Sequence, residues 1–135
     1  MDYFAHHICI QTNQYEASKQ FYLALGFSLV LETPNFHGRS YNTLLKLNHF
    51  YIELQTGKET LDAANSQAEG IQHFCLYTNN LETVIDSLSD YSTSFIRKNG
   101  TIIYHVENGE LLKIKAPEGT IIEFRNNCGV YHNKL

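Results

Sequence analysis

Alternating hydrophobic and polar positions run from Phe4 to Thr12, and this period of two predicts a β-strand. Apolar residues at helical spacing follow, and Ala17, Phe21, Tyr22 and Leu25 make one apolar face. Before it, Asn13-Gln-Tyr-Glu16 has the spacing of a capping box, and Gly26 can end the helix in a left-handed conformation. The pattern therefore predicts a strand and then a short helix.

Three further strands are predicted in the first half of the chain, at about Phe27–Thr33, Tyr41–Leu47 and Phe50–Gln55. Asn48-His49 is the expected tight connection between the last two. The first half thus reads β-α-β-β-β.

The second half repeats this order of elements. His7-Ile-Cys-Ile-Gln-Thr12 returns as His73-Phe-Cys-Leu-Tyr-Thr78, and Asn79-Asn-Leu-Glu82 takes the place of the first cap. A helical stripe of Leu81, Val84, Ile85 and Leu88 follows. The strands expected after it are Ser94–Lys98, Thr101–Val106, Glu110–Ala116 and Thr120–Arg125, one of them an extension of another. The chain is predicted to be a duplicated unit of α+β class.

The chain of 135 residues fits one domain, 1–135, with module one at about 1–56, a linker at about 57–70 and module two at about 71–127. A hydrophobic content of 43% is typical of a globular protein. The net charge of −4, with Lys and Arg scattered, argues against a nucleic-acid partner. Without an apolar run of about 20 residues or a signal peptide, no membrane role is expected and a cytoplasmic location is favoured.

Four ligand-type residues interrupt otherwise apolar strands: His7, Glu53, His73 and Glu123. Because strand side chains alternate, each is expected on the face away from the helices, where a curled sheet makes a cup. Any one of them alone is typical of a surface or satisfied polar residue, but their paired recurrence favours a metal site. A carboxylate in a partly desolvated cup needs a compensating cation.

A mixed nitrogen and oxygen donor set suits Ni²⁺, Zn²⁺, Co²⁺, Fe²⁺ or Mn²⁺ better than Ca²⁺ or Mg²⁺. Four protein ligands on an octahedral ion leave two positions open. A small-molecule substrate could occupy both through adjacent oxygens. Cys9 and Cys75 share the predicted face and are alternative ligands, although such cysteines more often pack as small apolar groups.

Five motifs along the chain resemble those of a known protein family. They are the His-apolar start, Phe21-Tyr-Leu-Ala-Leu-Gly-Phe27, the acid in Tyr51-Ile-Glu-Leu54, the second His and Ala116-Pro-Glu-Gly-Thr-Ile-Ile-Glu-Phe124. Together these motifs resemble the vicinal oxygen chelate superfamily, which includes glyoxalase I, extradiol dioxygenases and bleomycin-resistance proteins. The resemblance covers almost the whole chain. It implies two βαβββ modules forming an incomplete barrel with a central cup, commonly in a homodimer.

The ligand pattern His7, Glu53, His73, Glu123 looks most like bacterial glyoxalase I. That resemblance implies a metal-dependent lyase or isomerase, in which the metal polarises two substrate oxygens and a glutamate carries a proton between neighbouring carbons. Glu123 is the expected base and Glu53 the alternate. Whether the substrate contains glutathione, another thiol or none stays open.

Five further residues are candidates for substrate binding: Arg39, Tyr51, Tyr77, Lys113 and Arg125. Arg39 is expected in the loop after the second strand, where it could clamp an anion. His6 is expected to face away from His7. Two other functions stay open: a non-catalytic drug- or metabolite-binding protein of bleomycin-resistance type, and an Fe-dependent extradiol-type dioxygenase.

Overall fold

The structure, a computed structural model, describes residues 1–126. Its strands are β1 His7–Thr12, β2 Ser28–Phe36, β3 Arg39–Leu47, β4 Phe50–Thr56, β5 His73–Tyr77, β6 Phe95–Ile96, β7 Tyr104–Val106, β8 Gly109–Lys115 and β9 Ile121–Arg125. The helices are α1 Tyr15–Leu25, α2 Leu81–Ser87 and a 3-10 helix at Ser89–Ser94. The chain divides into a first compact unit, Met1–Ala64, and a second that begins at Asn65. The predicted α+β class is confirmed.

The first unit is a four-stranded sheet in the order β1-β4-β3-β2. β1 runs parallel to β4, whereas the β2–β3 and β3–β4 pairs are antiparallel. A parallel pair needs a long crossover, and α1, β2 and β3 together supply it. The core lies between α1 and the sheet and includes Ile10, Phe21, Tyr22, Leu45, Ile52 and Leu54. The predicted β-α-β-β-β order of this half is confirmed.

The second unit repeats the order β5-β9-β8, again with a parallel first pair. β6 and β7 both pair with β8: Phe95 lies opposite Ile114, and Tyr104 lies opposite Leu111. Two of the predicted strands are therefore successive pieces of one edge strand, as expected. The core residues of this unit are Leu81, Leu88, Phe95, Leu112, Ile114, Ile122 and Phe124.

The predicted capping box at the start of α1 is wrong. The helix is preceded by Gln14 as its N-cap residue. The Asn13 side chain instead donates to the carbonyl of Leu61 and accepts from its N–H, both at 2.9 Å. Because one amide can satisfy both backbone groups of Leu61, Asn13 ties the segment after β4 to the helix start. The Thr12 hydroxyl accepts from the Gln14 N–H at 2.8 Å.

The buried face of α1 differs in part from the predicted one. Phe21 and Tyr22 are fully buried, but Ala17 is exposed, and Tyr15 and Ser18 are buried in its place. Positions 15, 18 and 22 follow the i, i+3, i+7 spacing of one helix face, and position 17 is rotated by about 100° from position 18 and further from the other two. The helix ends as predicted at Gly26, whose φ of 113° is left-handed.

In α2 the cap residue is Asn80, one position later than predicted. Its side chain accepts from the Thr83 N–H at 3.2 Å. β1 begins at His7, three residues later than predicted, and Tyr3 and Phe4 before it are exposed. No helix within residues 1–126 is long and apolar enough to cross a membrane.

Candidate functional site

Glu123 lies at the centre of a polar face on the second sheet. It is on the middle strand β9, directly opposite Cys75 of β5 and Lys113 of β8. Residues two apart on a strand share a face, so His73 and Arg125 lie on this face as well. We call these five residues the second-unit polar face.

The Glu123 carboxylate is buried, with 6% of the residue exposed. One oxygen, Oε1, lies 3.5 Å from His73 Nε2, and the other, Oε2, lies 3.8 Å from Arg125 Nη1. Both distances are longer than a good charge-assisted hydrogen bond of about 2.8 Å. Glu123 thus has basic neighbours on two sides, held near each oxygen without close contact.

Glu53 occupies the matching place on the first sheet. On β4 it lies opposite Cys9 of β1 and Leu44 of β3. Asn42 Nδ2 donates to Glu53 Oε2 at 3.4 Å, and Gln55 Nε2 donates to Asn42 Oδ1 at 2.8 Å. Cys9, Asn42, Glu53 and Gln55 form the first-unit polar face. The amide groups of Gln55 and Asn42 orient the Glu53 carboxylate.

Cys9 is the other hydrogen-bond neighbour of Glu53. The Cys9 side chain is exposed, but the neighbouring protein surface partly shields the sulfur from water. This partial burial, together with the hydrogen bond to Glu53 and its negative charge, raises the pKa of the Cys9 thiol to about 11, while the charge of Arg39 opposes the shift. At neutral pH Cys9 is therefore a protonated thiol in the metal-free protein.

His6 and His7 contact each other, so the prediction that they face apart is wrong. Their Nδ1 atoms are 2.9 Å apart, and the rings meet edge to face at 5.2 Å. The His6 ring stacks on Tyr51 with 4.7 Å between centroids. One Nδ1–H must donate to the other ring; when His7 is the donor, its Nε2 carries the free lone pair.

The remaining predicted contact residues are spread over both sheets. Arg39 begins β3 instead of lying in the preceding loop, and its Nη1 donates to the Thr56 carbonyl at 2.8 Å. Tyr51 shares the first-unit polar face, with Lys46 Nζ 5.7 Å from its ring centroid. Tyr77 lies opposite Arg125 in the β5–β9 register.

The spacing of donor atoms within each unit shows how well that unit fits a divalent ion. Two ligands about 2.1 Å from one ion are separated by roughly 3.0 to 3.4 Å at octahedral or tetrahedral angles. The spacing of 3.5 Å between His73 and Glu123 is close to this value. Within residues 1–126, no three or more His, Cys, Asp or Glu side chains are grouped so that they could hold a metal ion. Each unit thus provides at most half of the predicted donor set.

His6 is the functional candidate that sequence reasoning missed. Metal-bound histidines commonly donate their second N–H to a neighbouring group that fixes the ring. His6 is placed to accept such a bond from His7. Adjacent residues on a regular strand point to opposite faces, but His6 precedes β1 and is not bound by that alternation. The adjacent pair His6-His7 was the only available signal in the sequence.

Two βαβββ units with His and Glu on corresponding strands define the vicinal oxygen chelate class of fold. The family model described as Glyoxalase/Bleomycin resistance protein/Dioxygenase superfamily matches residues 5–124. The chain belongs to this superfamily. No curated protein matches the chain significantly.

Solved structures with the same fold cover most of the chain. A glyoxalase family protein from Enterococcus faecalis is 22% identical, with a TM-score of 0.76 and coverage of 92% of this chain and 98% of its own. Lactoylglutathione lyase from Agrobacterium tumefaciens is 20% identical, with a TM-score of 0.61 and coverage of 91% and 92%. An antibiotic-binding protein from Streptomyces sp. CB03234 is 15% identical, with a TM-score of 0.65 and coverage of 93% and 96%. At these identities the likeness shows the fold.

Proposed function

We propose that the protein is a metal-dependent, glyoxalase-like lyase or isomerase acting on a small substrate with adjacent oxygens. The observation that carries the proposal is the pair of His73 and Glu123, 3.5 Å apart on a strand face, with the carboxylate almost fully buried. The first unit supports it, because His7 and Glu53 stand at corresponding positions of the same strand order.

In this proposal the metal ligands are the four residues expected from the sequence, His7, Glu53, His73 and Glu123. A bound Ni²⁺, Zn²⁺, Co²⁺, Fe²⁺ or Mn²⁺ ion would act as a Lewis acid on the substrate oxygens. Glu123, as the proposed general base, would accept a proton from one carbon and return it to the next. Glu53 is the alternate base. A homodimer and a cytoplasmic location complete the proposal.

A second candidate is a binding protein without chemistry. It is favoured by the position of Arg125, whose guanidinium lies 3.8 Å from Glu123. This cation compensates part of the buried charge, so a metal is not the only way to stabilise the carboxylate. The antibiotic-binding structural neighbour is compatible with this candidate. Tight capture of a ligand by metal-stripped protein, without turnover in any metal-loaded form, would favour it.

The catalytic proposal is tested by screening Ni²⁺- and Zn²⁺-loaded protein against methylglyoxal hemithioacetals formed with several thiols. We expect turnover of at least one adduct, and we expect Glu123→Gln to lower kcat by about 100-fold or more, the usual contribution of a general base. The control is Glu69→Gln, an exposed acid outside both polar faces, which should keep the wild-type rate. Unchanged turnover in Glu123→Gln would refute the assigned base.

A further inference from the structure

Lys113 and Arg125 remain as a basic pair once the proposed metal donors have been assigned. Lys113 lies directly opposite Glu123 in the β8–β9 register. Arg125 follows Glu123 by two residues on β9, and its side chain is 26% exposed. Two permanent cations therefore flank one carboxylate on the second-unit polar face.

The Arg125 guanidinium is poorly satisfied by its protein contacts. Its Nη1 is 3.8 Å from Glu123, and its Nη2 donates to the Glu107 carbonyl at 3.4 Å. Its Nε is buried and has no hydrogen-bond partner among the described residues. Buried donors in native proteins are nearly always bonded, and an exception indicates a missing ligand or water. Arg125 thus has donor capacity that the protein itself leaves unused.

The two cations are close enough to bind one group. Arg125 pairs with Leu111, so Lys113 is its diagonal neighbour across the strand pair. Diagonal neighbours have Cα atoms roughly 7 to 8 Å apart, within reach of long side chains. The planar fork of arginine matches the two oxygens of a carboxylate or phosphate, and lysine adds a second point charge.

The first unit offers no such pair. Leu44 takes the place of Lys113 opposite the acid, and Gln55 takes the place of Arg125. Gln55 is buried and already donates to Asn42 at 2.8 Å. A pair of cations at these two positions beside the acid is therefore a property of the second unit.

We infer that Lys113 and Arg125 bind an anionic group of the substrate, a carboxylate or phosphate close to its adjacent oxygens. This inference rests on the proposed function and adds the charge of the substrate. It assigns to Arg125 a role in binding that is separate from the role of Glu123 in proton transfer.

Two probes with the same hydroxyketone group test the inference on Ni²⁺-loaded protein. Hydroxyacetone is neutral, and dihydroxyacetone phosphate carries a phosphate one carbon away. We expect the phosphate probe to bind at least about tenfold more tightly by calorimetry. Arg125→Gln and Lys113→Gln should each weaken binding of dihydroxyacetone phosphate by about tenfold more than binding of hydroxyacetone. Equal affinity of wild-type protein for the two probes would overturn the inference.

Control variants separate anion binding from other effects of lost charge. Arg97→Gln removes an exposed arginine of the second unit that donates to its own turn at Gly100, and it should keep the full preference. Arg125→Lys keeps the charge and should retain part of the preference for dihydroxyacetone phosphate. If Arg125→Gln instead weakens both probes equally, Arg125 only positions Glu123 and the inference is wrong.

Metal-free protein distinguishes failure of the inference from failure of the proposed function. Inorganic phosphate should bind metal-free wild-type protein, as followed by NMR shifts of the β8 and β9 amides, and should not bind the Lys113→Gln/Arg125→Gln double variant. Phosphate binding in a protein that takes up no metal would support the inference and refute the proposed function. Metal-dependent turnover of neutral adducts without phosphate binding would refute the inference alone.

Discussion

Glu53 and Glu123 hold corresponding positions but have different neighbours. The hydrogen-bond partners of Glu53, the Asn42 amide and the Cys9 thiol, are neutral. Glu123 has His73 and Arg125 beside it and is more deeply buried. A carboxylate shielded from bulk water exchanges its proton with a bound substrate and not with solvent. This difference is why Glu123, and not Glu53, is the proposed base.

At the residue scale, His6 has a measurable role if it fixes the ring of His7. His6→Phe keeps an aromatic ring to stack on Tyr51 but removes the Nδ1 acceptor. We expect its Kd for Ni²⁺ to rise by about 10- to 100-fold, the usual effect of losing the partner of a metal-bound histidine. Competition with a chromophoric chelator measures this Kd.

The matched control for His6→Phe is His37→Phe, an exposed histidine that contacts Phe36 in the turn between β2 and β3. It should keep the wild-type Kd. An unchanged Kd in His6→Phe would show that the contact between His6 and His7 plays no part in metal binding.

At the scale of elements, α1 is joined to the sheet by a polar cluster. The Tyr15 hydroxyl donates to Glu32 of β2 and contacts the Thr43 hydroxyl of β3, and Lys19 Nζ lies 3.0 Å from the Glu32 carboxylate. The hydrogen bond from Tyr15 and then Lys19 lower the pKa of Glu32. Burial and then the bond to Glu32 raise the pKa of Tyr15 to about 12. The cluster therefore favours a neutral phenol beside a charged carboxylate.

The Tyr15 pKa predicts a specific loss of stability in alkali. A group whose pKa is raised on folding stabilises the fold fully below its unfolded pKa, about 10 for Tyr, and loses that contribution as the pH rises toward 12. Tyr15→Phe keeps the ring stacked on Tyr41, where the centroids are 4.3 Å apart. We expect it to lower the free energy of unfolding by about 1 to 3 kcal/mol at pH 7.

Urea unfolding at pH 7, 10 and 11.5 measures both effects of Tyr15→Phe. The variant should lose less stability than the wild type between pH 10 and 11.5, because it lacks the titrating phenol. Tyr3→Phe, which alters an exposed tyrosine, controls for ionisation of the other phenols and should follow the wild-type curve. Parallel pH profiles for Tyr15→Phe and wild type would contradict the assignment.

Much of the element order could be predicted from the sequence. Strand alternation is a local signal, and the duplication repeats that signal in the second half of the chain. The ends of elements could not. Asn13 has the chemistry of a cap, but its bonds to Leu61 depend on where the chain returns 48 residues later. Asn80 rather than Asn79 caps α2 because the cap geometry depends on backbone angles. The contact of His6 with His7 was missed because His6 lies just before the strand.

At the scale of the whole molecule, the duplication provides matched positions for the four proposed donors. In both units the acid is on the strand that pairs in parallel with the strand bearing the histidine. The contacts around the two acids differ, as Leu44 against Lys113 shows. Duplication could be read from the sequence, whereas this divergence became visible only in the strand register.

Metal content per chain tests the central claim most directly. After loading with Ni²⁺ and removal of weakly bound ions, we predict one ion per chain for the wild type. We predict loss of that ion in both His7→Ala and His73→Ala, because both histidines are proposed ligands of that ion. The control His49→Ala, which alters an exposed histidine in the β3–β4 turn, should keep it. Retention of one tightly bound ion per chain by both His7→Ala and His73→Ala would contradict the account.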